Sequence, residues 1–544
     1  MQEAVGHFAQ GRLREAEKLF ARVLKAAPET FDALHLLGIV KAQSGQTGEA
    51  LRLITAALKI NPRAAEAWVN LANVMNALKR DEDALACLDK ALAIKPDDLQ
   101  ALGNRGSALL TLNRPREALA CFDEVLRRAP NNGEALLHRG VAKATLGHHA
   151  EALRDFDAAR ALMPGHPNVL YNRGNALTQL DRHAEAIADF DGALAALPGH
   201  MRAWSNRGSA LQRLNRHAEA IESFDRSIAA EKDNPYAYFN RALSLLTLGD
   251  LRRGFEQYES RWKRSGMTDT RRAYNRPLWL GEFPLGSKTI LLHAEQGLGD
   301  TIQFARYAPL LARAGAKVVL EVQRELKTLL GTLDGITSCH ARGETLPAYD
   351  LHCPLGSLPL AFKTEAATIP ADIPYLHADT QRREKWRQKI EKLPGKRVAL
   401  AWAGHAAHAN DRNRSIEPRL LEPLLALDGF SFVSIQRELR TNDTTWLASH
   451  PNVTHLGGEL ADMADTAALM TLVDLVIAVD TSVVHLAGAL GCPVWVMLPF
   501  VPDWRWTLTG GSSPWYPQAK LYRQPALGDW PSVIAQIRDA LANL

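Results

Sequence analysis

A single period governs the first half of this chain. Small residues stand at Ala4, Gly38, Ala72, Gly106, Gly140, Gly174, Gly208 and Ala242, each 34 positions after the last, and a second small series runs through Ala16, Ala50, Ala84, Ala118, Ala152, Ala186, Ala220 and Gly254. Bulky apolar residues follow at Phe20, Ile54, Leu88, Phe122, Phe156, Phe190, Phe224 and Tyr258, and Pro28, Pro62, Pro96, Pro130, Pro164 and Pro198 close most units. One such unit cannot bury its own apolar stripe, so neighbours must stack. Each unit reads as a helical hairpin: small residues let its two helices approach, the bulky residue fills the gap to the next unit, and Pro ends the second helix.

The pattern resembles the tetratricopeptide repeat over about residues 1–265, in eight copies of which the first lacks its start. Such arrays coil into a superhelix with a concave inner surface. Two residues before the small Gly or Ala stand Asn70, Asn104, Asn172, Asn206 and Asn240, with His138 and Leu36 as exceptions. The resemblance places this position on the concave face, where the asparagine ladder is similar to that of O-linked N-acetylglucosamine transferases and implies an extended polypeptide partner. A carboxamide offers a donor and an acceptor together, so it pairs with a peptide backbone whatever the side chains. The alternative is a repeat-consensus residue that only solvates the groove. Asp155-Phe156-Asp157, Asp189-Phe190-Asp191 and Asp81-Glu82-Asp83 imitate the Asp-x-Asp of metal-dependent transferases but fall on repeat positions, which predicts solvated helix faces.

The period is lost after Arg264, and Pro277, Trp279, Gly281, Pro284 and Gly286 mark a linker, 266–288, expected to pack on both parts. Apolar runs then alternate with helical stretches. Strands are predicted near 289–294, 317–322, 336–339 and 349–352 in a first lobe, 289–394, which the helix Gln381 to Lys392 closes. A second lobe, 395–544, has strands near 397–402, 431–435, 453–456, 475–479, 494–498 and 519–523 and ends in the helix Trp530 to Ala542. Alternation of this kind implies parallel sheets covered on both faces, with a ligand cleft at the carboxyl ends of the strands. The fold class expected is thus an α-helical superhelix followed by two Rossmann-like α/β lobes.

The corner Gln296-Gly297-Leu298-Gly299-Asp300, after an apolar run and before an amphipathic stretch from Thr301 to Arg313, reads as strand, tight turn, helix. Together with Asp480-Thr481-Ser482-Val483-Val484-His485 and the Gly491-Cys492-Pro493 that follows, it looks like the lipopolysaccharide heptosyltransferase family of GT-B glycosyltransferases, over about residues 287–544. The resemblance implies metal-independent, inverting transfer of a sugar from a nucleotide donor, with no cofactor. It assigns Asp480, Thr481, Ser482 and His485 to donor binding and makes Asp300 the base that takes the acceptor's proton.

The residues themselves allow blander roles. Thr481 or Ser482 caps a helix whose free amides make an anion site, and Asp300 would serve equally as an N-cap. Arg414, and with it Arg412, lies in a cation-rich segment after the second lobe's first strand and would neutralise a leaving diphosphate. Arg414 stands where the resembling family has a lysine. Gln436, ending the next strand, is placed to meet a base or ribose. Pro499 to Trp506 has no counterpart in that family; Asp503 and Trp504 there suit a sugar, or else Trp504 is simply buried.

A net charge of +4 over 544 residues is too small to argue for nucleic acid. Met1 runs straight into a repeat, and no apolar run approaches the roughly 18 residues that span a bilayer. The chain reads as cytoplasmic, its five cysteines as reduced core thiols, and a homo-oligomer stays open. The leading expectation is a glycosyltransferase acting on a protein acceptor. The competitors are a nucleotide-binding scaffold without turnover, a transferase acting on a surface glycan, and an NAD-dependent oxidoreductase. The last rests on Gly297-x-Gly299 and Glu321, but Ile302 occupies the place of its third glycine.

Overall fold

The structure, a computed structural model, describes residues 1–265, 274–408 and 410–544. The chain divides into two compact units, Met1–Ala210 and Leu211–Leu544.

The first unit is all-helical, an array whose helices, after the eight-residue Gln2–Ala9, alternate between 14 and 13 residues through His183–Ala196, as in Leu99–Thr111 and Pro115–Arg128. Second helices stop two residues before each proline. The intervening residue is forced out of the helical region, with φ/ψ of −131/77° at Ala129 and −133/86° at Lys95. The turn inside each hairpin needs a left-handed residue, and Gly11, Gly45, Lys79, Asn113, Gly147 and Asp181 supply it at the same 34-residue interval.

One expectation is extended here and one corrected. The bulky residue fills the gap inside its own hairpin as well as facing the next unit: a Cβ built on Gly106 would lie 2.6 Å from the Phe122 ring, and one on Gly140 would lie 2.6 Å from Phe156, while Phe122 also stacks on His138 of the following hairpin at 5.7 Å. Asp155 and Asp189 are not solvated. Both are buried, because Arg139 donates to Asp155 at 2.7 Å and Arg173 to Asp189 at 2.6 Å. The same arginines reach back to Asp123 and Asp157, at 2.9 and 2.6 Å. Arg105, Arg139, Arg173 and Arg207 themselves recur every 34 residues, immediately after the ladder position.

The second unit contains the last hairpins, His217–Ala230, Pro235–Thr247 and Leu251–Tyr258, and two sheets. The first sheet has β1 (Thr289–His293), β2 (Lys317–Val322), β3 (Ile336–Ala341) and β4 (Leu351–Pro354), in the order β3-β2-β1-β4. The second has β5 (Lys396–Ala401), β6 (Phe430–Ser434), β7 (Val453–His455), β8 (Leu475–Val479), β9 (Val494–Leu498) and β10 (Ala519–Arg523), in the order β10-β9-β8-β5-β6-β7. All pairings between these strands are parallel. Both faces of the second sheet are buried: Val398, Leu400 and Ile477 join one core, Ala399, Ala401 and Val476 the other. That is why the strands read as continuous apolar runs.

In each sheet the chain winds outward from a central pair, β1 with β4 and β5 with β8. The loops leaving such a pair diverge and open a crevice at the carboxyl ends. Of the predicted linker, 266–273 lies outside the described residues. Of the rest, Leu278 forms an isolated parallel bridge with His352 of β4, with Trp279 N donating to the His352 carbonyl at 2.9 Å and the Trp279 side chain buried.

Candidate functional site

A cavity of about 960 Å³ opens where the two crevices meet, within the size range of small-molecule sites. The loops after β1, β5, β6, β8 and β9 line it, and Phe239, Leu243 and Tyr258 of the last hairpins add an apolar wall.

The β1 corner supplies Gln296, Gly297, Gly299 and Asp300. The helix that follows, Leu298–Ala305, starts three residues earlier than the amphipathic pattern predicts. Asp300 therefore sits inside its first turn and not at the N-cap. From there its Oδ2 accepts the Gly297 N–H at 3.1 Å, while Oδ1 pairs with the Arg505 guanidinium. Gly299 is a glycine because of close approach: a Cβ there would lie 2.7 Å from the His485 ring. Glu321 does not line the cavity; it accepts from the Tyr274 hydroxyl at 3.2 Å, which removes the ribose ligand a dinucleotide reading needs.

The β8 corner supplies Asp480, Thr481, Ser482 and His485. Thr481 stands at the N-cap of the helix Ser482–Ala489, yet its hydroxyl makes no cap bond and is buried without a partner. The Val484 amide turns back to the Thr481 carbonyl at 3.1 Å, and Ser482 and Val483, which line the cavity, stand at the helix start, where amides lack an intrahelical partner and anions bind. His485 is held by the Tyr516 hydroxyl at 3.2 Å and stacks on Trp506 at 5.5 Å. Burial, then Arg505, Arg306 and Arg414, hold its pKa well below the usual histidine range, so the ring is neutral. Burial and the neighbouring Asp503 carboxylate push Asp480 up to about 7.

Arg414 reaches the cavity from the short helix Asp411–Arg414, and its Nη1 donates to the Asp480 carbonyl at 3.0 Å. A Cβ on Gly404 would lie 2.6 Å from the guanidinium, so glycine there makes room for it. Two donor-binding assignments do not fit. Arg412 is exposed and does not line the cavity, because the half-turn to Arg414 points it elsewhere. Gln436 lines it, but Oε1 accepts the Trp402 and Ala403 amides, both at 3.1 Å, and Nε2 donates to the Ala403 and Glu438 carbonyls, at 3.0 and 3.1 Å. Its carboxamide shapes the loop after β5 and has no group left for a base or ribose.

Asp503 is half-exposed at the rim. Trp504 is buried, packed edge-on against Phe255 at 5.5 Å and Trp515 at 5.6 Å. The arginine of this stretch, which its sequence suits to a sugar hydroxyl, is Arg505, a buried cation whose Nη1 instead donates to Asp503 at 2.9 Å and which also binds Asp300 and Gln303. Its signal was an arginine between an aspartate and two tryptophans after a buried strand.

The ladder asparagines are all half-buried on the first helices of their hairpins. In the first unit Asn70 contacts His35 at 3.0 Å, Asn104 donates to Asn73 at 3.1 Å and Asn206 to Asn175 at 2.7 Å, which joins adjacent repeats. Asn172 bonds back to the Asn168 carbonyl at 2.8 Å. Asn240, in the second unit, lies on the helix that carries Phe239 and Leu243.

Comparison with known proteins identifies the repeats. Family descriptions named tetratricopeptide repeat match residues 41–105 and, in a second version, 1–45, 104–167, 142–200 and 205–270. The curated protein FlbA of Caulobacter vibrioides is 28% identical over 329 residues, 55% of this chain and 54% of FlbA, so the chain spans about half of that relative's length. Among solved structures, a tetratricopeptide repeat protein from Parabacteroides merdae is 20% identical, covering 45% of this chain and 96% of its own, with a TM-score of 0.38. YrrB, described as a TPR protein with an unusual peptide-binding site, is 26% identical over 34% of this chain and 95% of its own, with a TM-score of 0.29. Among the described residues no helix is long and apolar enough to cross a membrane.

Proposed function

We propose that this chain is an inverting, metal-independent glycosyltransferase with a GT-B catalytic half, moving a sugar from a nucleotide donor to a protein held by the repeat array in the cytoplasm. The observation that carries the reading is convergence: Asp300, Arg414, the open helix start at Thr481–Ser482 and His485 come from both lobes and line one cavity. The donor diphosphate rests on the helix amides and Arg414. Asp300 takes the proton of an acceptor hydroxyl as its oxygen bonds to the anomeric carbon, and the bond to the diphosphate oxygen breaks on the opposite face. The diphosphate leaves with the electron pair, its charge met by fixed donors. Neutral His485 contributes a hydrogen bond without adding charge, and Asp503 at the rim meets sugar hydroxyls. The ladder and the last hairpin deliver the acceptor.

One observation favours a scaffold without turnover: both oxygens of Asp300 are already engaged. Release of nucleoside diphosphate from a panel of uridine-, guanosine- and adenosine-diphosphate sugars, with and without host lysate protein, separates the two. A protein-directed transferase gives release that needs lysate protein and vanishes in Asp300→Asn while nucleotide binding persists. Binding without release from any donor establishes the scaffold.

A further inference from the structure

Asp300 is engaged but not used up. A carboxylate offers about four acceptor positions; one goes to the Gly297 amide and one to Arg505, and the residue still lines the cavity. The manner of the second contact is informative. The Arg505 guanidinium is planar and its donors leave at fixed angles: Nη2 to Asp300, Nη1 to Asp503 at 2.9 Å, Nε to Gln303. It lies 4.3 Å over the Trp504 ring, with a side chain 7% exposed. Gln303 and Asp300 share the helix after β1, whereas Asp503, Trp504 and Arg505 belong to the loop after β9. One buried cation thus ties the carboxylate of the first lobe to the second lobe across the floor of the cavity.

A buried cation is weak evidence for stability, since its desolvation offsets much of the attraction. What its forked geometry supplies here is orientation. We propose that Arg505 is a positioning residue, fixing the carboxylate of Asp300 toward the acceptor and making that alignment depend on the docking of the two lobes. The inference rests on the reading of Asp300 as the base. Without Arg505, the Asp300 side chain keeps one hydrogen bond and regains its rotation, and a misplacement of about 1 Å lowers turnover about a hundredfold.

The test compares Arg505→Met and Arg505→Lys with wild type, using the nucleotide sugar that the donor panel selects and, for binding, the free nucleoside diphosphate. Positioning predicts kcat lowered about a hundredfold in Arg505→Met, with donor KM and nucleotide Kd within about twofold. Arg505→Lys, which keeps the charge and one donor direction, recovers part of kcat and also serves should the Met variant fail to fold. Unchanged kcat in a folded variant overturns the inference and leaves the transferase reading standing. So does a rise in KM and Kd that tracks the loss of kcat and a falling Tm, which is the mark of a structural tie. Wild-type protein that releases nothing from any donor overturns both.

Discussion

The role of Arg414 is open to a decisive perturbation. Its guanidinium has one close partner, the Asp480 carbonyl at 3.0 Å; Asp411 stands 3.8 Å away, and Nε has no acceptor. The residue lines the cavity. If it holds a diphosphate, Arg414→Ala removes one charged hydrogen-bond set, about 1.5–3 kcal/mol. At about 1.4 kcal/mol per decade that raises the nucleoside-diphosphate Kd roughly 10- to 150-fold. The loss must depend on phosphate, so calorimetric titration should be run with the nucleoside diphosphate and the bare nucleoside side by side. The expected result is a large loss for the first and none for the second, with Arg414→Lys intermediate because it keeps charge but not the fork. Equal weakening of both ligands would refute the reasoning, because it would show Arg414 acting only as a prop between Gly404 and the Asp480 carbonyl.

Three further outcomes are expected. Replacing Asn172, Asn206 and Asn240 together by Ala should reduce modification of protein at least tenfold while donor hydrolysis stays unchanged, read by labelled-sugar incorporation; intact incorporation would make the ladder repeat consensus only. Glu295, beside Arg261 at 3.2 Å, has its carboxyl pushed by burial from 4.5 up to about 7. The folded protein keeps a proton there that the unfolded chain releases, so stability on the order of 3 kcal/mol is present below about pH 4.5 and lost as pH rises to about 7. Glu295→Gln should not show that loss, and denaturant titrations at pH 5 and pH 8 should reveal its advantage over wild type growing with pH. Gly140→Ala places a Cβ 2.6 Å from the Phe156 ring and should destabilise the first unit by about 1–3 kcal/mol. Adding Phe156→Leu should recover part of it, and strict additivity of the two changes would contradict their contact.

The repeat period and the strands were legible because both are one-dimensional signals: small residues every 34 positions, and apolar runs bounded by turns. What sequence could not give are relations between positions with no shared period or run. Phe156 recurs with Gly140, but only packing shows that the two meet inside one hairpin. Asp155 looked solvated because its partner, Arg139, stands 16 residues earlier on the other helix. Gln436 looked available at a strand end, yet the loop after β5 folds back and occupies its amide. Helix starts are set by single hydrogen bonds, and the Asp300 bond to the Gly297 amide moved one by three residues. Arg505 pairs with residues some two hundred positions earlier, a distance no motif spans.

The division of the chain at Ala210 has an evolutionary consequence. Repeat arrays grow and shrink by duplication and loss of whole units, a process tolerated wherever a unit touches only its two neighbours. Up to that boundary, gain or loss of a whole repeat preserves packing between neighbours. Beyond it, the hairpins that carry Phe239, Leu243 and Tyr258 form a wall of the cavity, and inserting or deleting 34 residues there would displace that wall. Lineages are therefore expected to vary in repeat number upstream and to hold the final hairpins fixed, so that the range of partners diversifies while the cavity is inherited unchanged.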